Sequence, residues 1–246
     1  FNAIMSGVSP MRLRESTAEL SGVEASELTT ALPMNWIDER ARFHPETERP
    51  NRPENIPVAG FRRVSPGYLQ AMKVGSVAGR PLSATDAQNG PAVAVLSESA
   101  ARRFFPGGDA LGRRLMTGSR AMEVVGIVRD VRANPLTSDA PLDIVYVPLA
   151  QWPSRTAYLV LSTRQDPASL LPAVQAAVGR IDARLAAGDV ATMQRVVETV
   201  TSPQSATAQM LLASAVIALI LAAVGTYGVM SYVVALRTHE IGLRAG

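Results

Sequence analysis

Apolar and polar positions change period several times along this chain of 246 residues. Residues 11 to 20 (MRLRESTAEL) read as a short helix, and a strand follows around Val23 to Thr29. From Asp38 to Asn55 charges and prolines dominate, with no apolar spacing able to bury a face, so a surface excursion is expected there. The strand Val58 to Val64 then runs into Ser65-Pro66. Serine as N-cap with proline at the first helical position is a start signal, and Tyr68, Leu69 and Met72 supply the buried face.

The pattern recurs. Ala92 to Leu96 is a short buried strand, and Ser97 caps a helix whose Ala100, Ala101, Phe104 and Phe105 face inward until Pro106-Gly107-Gly108 stops it. Glu123 to Val128, Ile144 to Val147 and Tyr158 to Ser162 are further strands. Asp166-Pro167 opens a helix with Leu170, Leu171, Val174, Ala177, Val178 and Ile181 on one face. A last strand is expected near Val190 to Met193. Short helices alternating with small mixed sheets define an α+β class, and the repeated strand–helix–strand order suggests two small subdomains.

Beyond these elements the pattern changes kind. From Met210 to Leu236 (MLLASAVIALILAAVGTYGVMSYVVAL) there is no charged residue. A transmembrane helix needs about 20 apolar residues to cross about 30 Å of hydrocarbon. A buried core helix would keep one polar stripe, whereas this run has only scattered Ser, Thr and Tyr. One membrane span is expected. Arg237 and Arg244 follow it closely, while Arg195 is the nearest cation before it. Short-loop Lys/Arg excess marks the cytoplasmic side, so residues 237–246 are expected inside and the long N-terminal part outside. The first residue is Phe1 and the last stretch, Ile241 to Gly246, reads as a helix in mid-course, so the sequence is expected to be part of a longer membrane protein.

Composition adds three limits. There is no cysteine, so no disulfide framework is available. The formal charge is +3, almost wholly from arginine, since Lys73 is the only lysine. Pairs such as Arg62-Arg63, Arg102-Arg103 and Arg113-Arg114 are spread along the chain with few aromatics beside them, which reads as solvated surface rather than as a nucleic-acid footprint.

Catalytic chemistry is thin. His44 and His239 are the only histidines and are expected on opposite sides of the membrane. His239-Glu240 begins like a zinc HExxH motif, but Leu243 stands where the second ligand belongs. No GxSxG elbow and no GxxxxGK phosphate loop occur. Asp86, Asp109, Asp130, Asp139 and Asp143 show no metal-loop spacing and read as surface carboxylates. The reading is a non-enzymatic chain with no catalytic, metal or cofactor site of its own. What the span offers is packing: Ser214, Ala218, Ala222 and Thr226 recur every four residues as a small-residue ridge, which lets a partner helix approach closely.

Several blocks resemble the MacB/FtsX-type permeases of ABC transporters. Val64-Ser65-Pro66-Gly67-Tyr68-Leu69-Gln70-Ala71-Met72, with Gly79-Arg80-Pro81-Leu82 and Asp86, is similar to the family's periplasmic core. So are Val95 to Pro106, Leu111-Gly112-Arg113-Arg114-Leu115 and Val124 to Arg132. Arg237-Thr238-His239-Glu240-Ile241-Gly242-Leu243-Arg244 resembles the segment that opens the family's cytoplasmic loop. Leu82 departs from the family, which often has Phe there, and Val74-Gly75-Ser76 is a poorer strand than usual.

The resemblance implies three parts. Residues 1–202 would be a MacB-like periplasmic core domain, extracytoplasmic and shortened at its N-terminus. Residues 203–236 would be a stalk and membrane helix, and residues 237–246 the start of a cytoplasmic coupling segment. It implies a bacterial inner-membrane permease subunit that uses no cofactor itself, ATP being consumed by an ABC ATP-binding subunit or a fused domain. Glu240, Gly242 and Arg244 would lie near the ATPase docking surface, and motion would be relayed through the span to the outer domain, with a hinge at Pro203. Expected partners are the ATPase, a second copy or second permease half, membrane lipid and a periplasmic protein. Two other readings stay open: an FtsX-like scaffold that switches a cell-wall hydrolase, and a membrane-anchored binding module without an ATPase. The substrate, and four spans against a duplicated eight, are not legible.

Overall fold

The structure is a computed structural model that describes residues 10–31, 39–48, 52–131, 142–154, 156–181 and 212–230. The chain divides into two compact units, Phe1–Val197 and Glu198–Gly246.

The first unit begins with helix α1 (Pro10–Ala18) and strand β1 (Val23–Thr29). Two short strands, β2 (Arg40–Arg42) and β3 (His44–Pro45), precede β4 (Val58–Val64), the one-turn helix α2 (Tyr68–Ala71) and β5 (Ser76–Gly79). Strand β6 (Val93–Ser97) leads into α3 (Glu98–Phe104), followed by β7 (Arg114–Thr117), β8 (Arg120–Val128), β9 (Ile144–Pro148), β10 (Tyr158–Thr163) and α4 (Pro167–Ile181). The ten strands among the described residues belong to one mixed sheet, in the order β10-β1-β4-β9-β6-β8-β7-β3, with β2 on β4 and β5 on β8. The two expected subdomains therefore share a sheet. Between them β1 and β4 pair only at Thr29↔Val64.

Strands β6 and β9 are buried along their whole length, as central strands covered on both faces must be. Alternation divides their side chains. Ala94, Leu96, Val145 and Val147 join Phe43, Phe61, Phe104 and Phe105 in one core, beneath α3. Val93, Val95, Ile144 and Tyr146 join Val64, Tyr68 and Leu69 in another. A third cluster sets Leu13 of α1 and Leu170, Val174 and Val178 of α4 against Leu28 and Leu159 of the β1–β10 pair.

Most expected elements are present within a residue or two. Ser97 is the N-cap of α3 and its Oγ accepts from the Ala100 N–H at 3.3 Å. At α4, Asp166 Oδ1 accepts from the Ala168 N–H at 3.0 Å. The expected strand near Val190 to Met193 lies outside the described residues.

Four expectations are corrected. The stretch from Asp38 to Asn55 is not wholly a surface excursion. It holds β2 and β3, and between them Phe43 is fully buried against Phe61 and Phe104, with ring centroids 5.7 and 6.0 Å away. Ser65 does not cap a helix. The N-cap of α2 is Gly67 and makes no side-chain cap bond. Because the Ser65 N–H still bonds the Leu28 carbonyl, at 2.9 Å, its hydroxyl is carried to β1, where it accepts from the Leu28 N–H at 2.7 Å and donates to the Glu27 carboxylate.

The arginine pair Arg62-Arg63 is not solvated surface. On β4 the two must point to opposite faces. Arg63 meets Glu39 through two hydrogen bonds of 2.6 and 2.8 Å, and Arg62 is only 2% exposed. Nor are all the aspartates surface groups: Asp86 is buried, and Asp130 and Asp143 are partly so, engaged by Arg102 and Arg103 at 3.2 and 2.5 Å.

The second unit is described over one helix, α5 (Leu212–Met230), of 19 residues with a mean hydropathy of 2.1. Every side chain on it is exposed. A helix that is apolar all round and uncovered suits lipid rather than water.

Candidate functional site

Three places carry the expected or observed function-bearing residues. The first is α5, where Ser214, Ala218, Ala222 and Thr226 fall four residues apart and so along one side of the helix. Thr226 Oγ1 donates to the Ala222 carbonyl at 2.8 Å. The ridge thus carries a threonine whose donor is satisfied within its own helix, which suits a hydrocarbon setting. A Cβ at Gly225 or Gly228 would have open space around it. The coupling residues Glu240, Gly242 and Arg244 and the hinge residue Pro203 lie outside the described residues.

The second place is the turn after β5. Arg80 reaches the Asp86 carboxylate with both terminal nitrogens, at 2.9 and 2.8 Å, and the Ser83 N–H adds a third bond at 2.8 Å. Burial pushes the Asp86 carboxyl up, but the hydrogen bonds from Arg80 and Ser83 and the arginine's charge outweigh it and hold Asp86 below the usual carboxylate range. Arg80 is raised in turn, chiefly by its hydrogen bond to Asp86. The pair clamps the turn Pro81-Leu82-Ser83-Ala84-Thr85 and offers no free acid or base. Before it, Gly79 has φ +72°, and a Cβ there would meet Leu111 Cδ2 at 2.8 Å and Gly126 Cα at 2.9 Å. The block Gly79-Arg80-Pro81-Leu82…Asp86 is therefore a structural staple.

The third place is the junction of α1, β1 and α2. Glu27 receives the Ser65 hydroxyl and lies 3.7 Å from Arg14. A Cβ on Gly67 would meet the Glu27 carboxylate carbon at 2.8 Å. Sequence reasoning missed Glu27 because its partners are far away in the chain. Among the described residues no group of three or more His, Asp or Glu side chains is placed to hold a metal ion.

What the geometry defines is a mixed-sheet α+β domain, pinned by internal ion pairs, together with an apolar helix long enough to cross a bilayer. Its fold is similar to the crystal structure of the periplasmic region of MacB from Actinobacillus actinomycetemcomitans. The TM-score is 0.52 at 13% identity, covering 72% of this chain and 82% of that one. The extracellular domain of the noncanonic ABC-type transporter YknZ from Gram-positive bacteria gives the same TM-score and identity over 74% of this chain and 93% of that one.

The sequence matches go further. A Rhodospirillum rubrum protein named macrolide export ATP-binding/permease protein MacB is 32% identical over 73% of this chain and 29% of its own length. A relative of the same name in an Azoarcus species is 28% identical over 97% of this chain and 37% of its own length. The chain thus spans about a third of the length of these curated relatives. The model of the MacB-like periplasmic core domain matches residues 4–202, and the chain belongs to that family.

Proposed function

We propose that the chain is part of a permease subunit of an ABC transporter in the bacterial inner membrane. The observation that carries this reading is a MacB-like periplasmic core over residues 4–202, followed in sequence by the apolar helix α5. Residues 1–202 form the extracytoplasmic domain, residues 203–236 the stalk and span, and residues 237–246 the beginning of the cytoplasmic coupling segment. The chain carries out no catalysis and binds no cofactor. ATP is hydrolysed either by a separate subunit or on another part of the same protein, as the relatives' joint ATP-binding/permease name favours.

Work done on ATP closure reaches the outer domain mechanically, through the span rather than through a pore, for export or envelope work. A second copy or second permease half packs on the ridge Ser214, Ala218, Ala222 and Thr226. Pro203 supplies the joint at the membrane face, since proline in a helical path removes a backbone bond and kinks it. Relay by such a joint requires two discrete arrangements of the element it links. A Pro203→Ala variant with unchanged ATPase coupling and transport would take the joint out of the mechanism.

The central test is a charge reversal, Glu240→Arg with Arg244→Glu, in the full-length protein. Loss of ATPase stimulation, with the protein still inserted, is expected if this segment docks the ATPase. Unchanged association leaves only the membrane-anchored binding module. The FtsX-like scaffold shares the ATPase and differs downstream: its outer domain would capture a cell-wall hydrolase.

A further inference from the structure

Asn89-Gly90 occupies the exposed turn before β6, and the residues that flank it, Ala87 and Pro91, are both tied to one buried side chain, Gln151. We propose that this pair is a self-modifying site. The Asn89 side-chain amide is lost through a cyclic imide with the Gly90 nitrogen, isoaspartate accumulates in the folded protein, and the Gln151 clamp slackens. The reaction needs only the turn and water, so its failure would leave the transporter reading untouched.

Among the asparagines the sequence favours one. Ring closure requires the nitrogen of the following residue to reach the side-chain carbonyl carbon. A side chain on that residue hinders the approach, and proline, with no N–H, prevents it. Asn2, Asn35, Asn51, Asn55 and Asn134 precede Ala3, Trp36, Arg52, Ile56 and Pro135, and only Asn89 precedes glycine. Asn89 is exposed, and its side-chain amide forms no hydrogen bond among the described residues. No such contact has to break before the amide turns toward the main chain.

The hydrogen bonds of the turn favour the reaction as well. The Gly90 N–H bonds the Ala87 carbonyl at 3.0 Å and closes a four-residue turn. That bond has to open before the nitrogen attacks. Gln151, only 2% exposed, eases the opening: its Nε2 also donates to the Ala87 carbonyl, at 3.2 Å, so this acceptor keeps a partner when Gly90 leaves. The same Nε2 donates to the Pro91 carbonyl at 2.8 Å, and Oε1 accepts from the Val93 N–H at 3.1 Å. Both ends of the turn therefore stay anchored while its middle rearranges.

Water is the only co-reactant. The Gly90 nitrogen gives its proton to hydroxide and bonds to Asn89 Cγ, and the side-chain nitrogen leaves as ammonia. Water then opens the imide. Attack at Cγ restores the original main chain and leaves aspartate. Attack at the main-chain carbonyl carbon leaves isoaspartate, whose main chain runs through Cγ and is longer by a carbon. Nothing is oxidised or reduced. Isoaspartate thus lengthens the path between Ala87 and Pro91, the two carbonyls that Gln151 holds.

The experiment incubates the folded full-length protein in water enriched in oxygen-18, at neutral and at mildly alkaline pH. Peptide mapping by mass spectrometry and labelling by an isoaspartate methyltransferase read the products. Conversion at position 89, mostly to isoaspartate carrying oxygen from water and faster at the higher pH, is expected, with Asn51 and Asn55 intact. Gly90→Ala should lose most of the product. Gly90 does not have a left-handed φ, and the nearest atom to a Cβ there is the Ala87 carbonyl oxygen at 3.3 Å, so denaturant unfolding should show this variant folded. Asn89→Asp carries the charge on an unaltered main chain and should unfold as the parent does, whereas the isoaspartate fraction should unfold at lower denaturant. Intact Asn89, aspartate as the sole product, an unchanged rate in Gly90→Ala, or conversion only after urea unfolding would overturn the proposal. An isoaspartate fraction that unfolds with the parent would overturn the slackening of the clamp.

Discussion

Arg80 and Asp86 are joined by two parallel hydrogen bonds of 2.9 and 2.8 Å across a turn of five intervening residues, and the carboxylate is buried while the guanidinium is half exposed. Removing the arginine strands a buried carboxylate that keeps only its bond from the Ser83 N–H and its contacts with the Ser83 hydroxyl. Arg80→Ala should therefore lower the stability of the extramembrane unit by about 1–3 kcal/mol, read by denaturant unfolding.

The same pair predicts an acid response. The Asp86 pKa is lower folded than unfolded, so the unfolded chain takes up its proton first. Its stabilisation is fully present above the unfolded carboxyl value, about 3.9, and is lost as pH falls through the folded value. Stability measured from neutral pH downward should fall less steeply below about pH 4 in Asp86→Asn than in the parent. Identical slopes would mean that Asp86 titrates alike in both states.

Gly126 gives a steric prediction. It pairs with Gly79 across β5 and β8, and an added Cβ would meet the Arg80 carbonyl carbon at 3.2 Å and Val95 Cγ2 at 3.4 Å. Because the obstacle includes backbone, it cannot swing aside as the end of a side chain can. Gly126→Ala should cost about 1–3 kcal/mol by overpacking, whereas Gly107→Ala, with open space around it, should cost little. Equal stability of the two would show that β5 moves freely.

Phe43 carries a core prediction. It is fully buried between Phe61 and Phe104, and its truncation to alanine should cost about 3–5 kcal/mol. Trp152, edge-on to Phe61 at 5.2 Å and beneath Arg120 at 4.1 Å, offers a fluorescence signal for the unfolding. A loss below about 1 kcal/mol would place the segment around β2 and β3 outside the cooperative core.

These residues also show what was legible in the sequence. The Ser97 cap, helix α4 and the apolar helix α5 are written in local patterns, a cap at the right offset, a period of 3.6 and an unbroken apolar run. Phe43 is not, because its ring partners come from β4 and α3 and the residues around it are charged. Ser65-Pro66 carries a valid helix-start signal, yet Ser65 is claimed by Glu27 and Leu28 of β1, a contact with no local trace. Arg62-Arg63 could have been read. Two adjacent residues of a strand point to opposite faces, so a strand covered on both sides had to take one arginine inward. That Ser214, Ala218, Ala222 and Thr226 fall along one side of a helix was legible, whereas the place of Glu27 depends on strand order.

These 246 residues contain no cysteine, so topology is open to a chemical test. Asn89, exposed in the turn before β6, and Ala245 can each be changed to cysteine in the full-length protein, with any cysteine elsewhere in it replaced by serine. An impermeant maleimide applied to intact cells should label Asn89→Cys and not Ala245→Cys. The reverse pattern would put the sheet domain in the cytoplasm and remove the permease reading.

The parallel pairing of β4 with β9 sets Gly60 beside Ile144 and Val64 beside Pro148, and β1 finds its long partner only at Tyr158–Thr163. Neither ladder is available to a chain that is still being made. Closing such long loops delays the ordered state, so β1 and β4 each keep one edge unpaired until β9 and β10 have been made. A nascent domain in that condition invites wrong pairing, so slow codons ahead of Thr163 should raise the aggregated fraction more than slow codons after it.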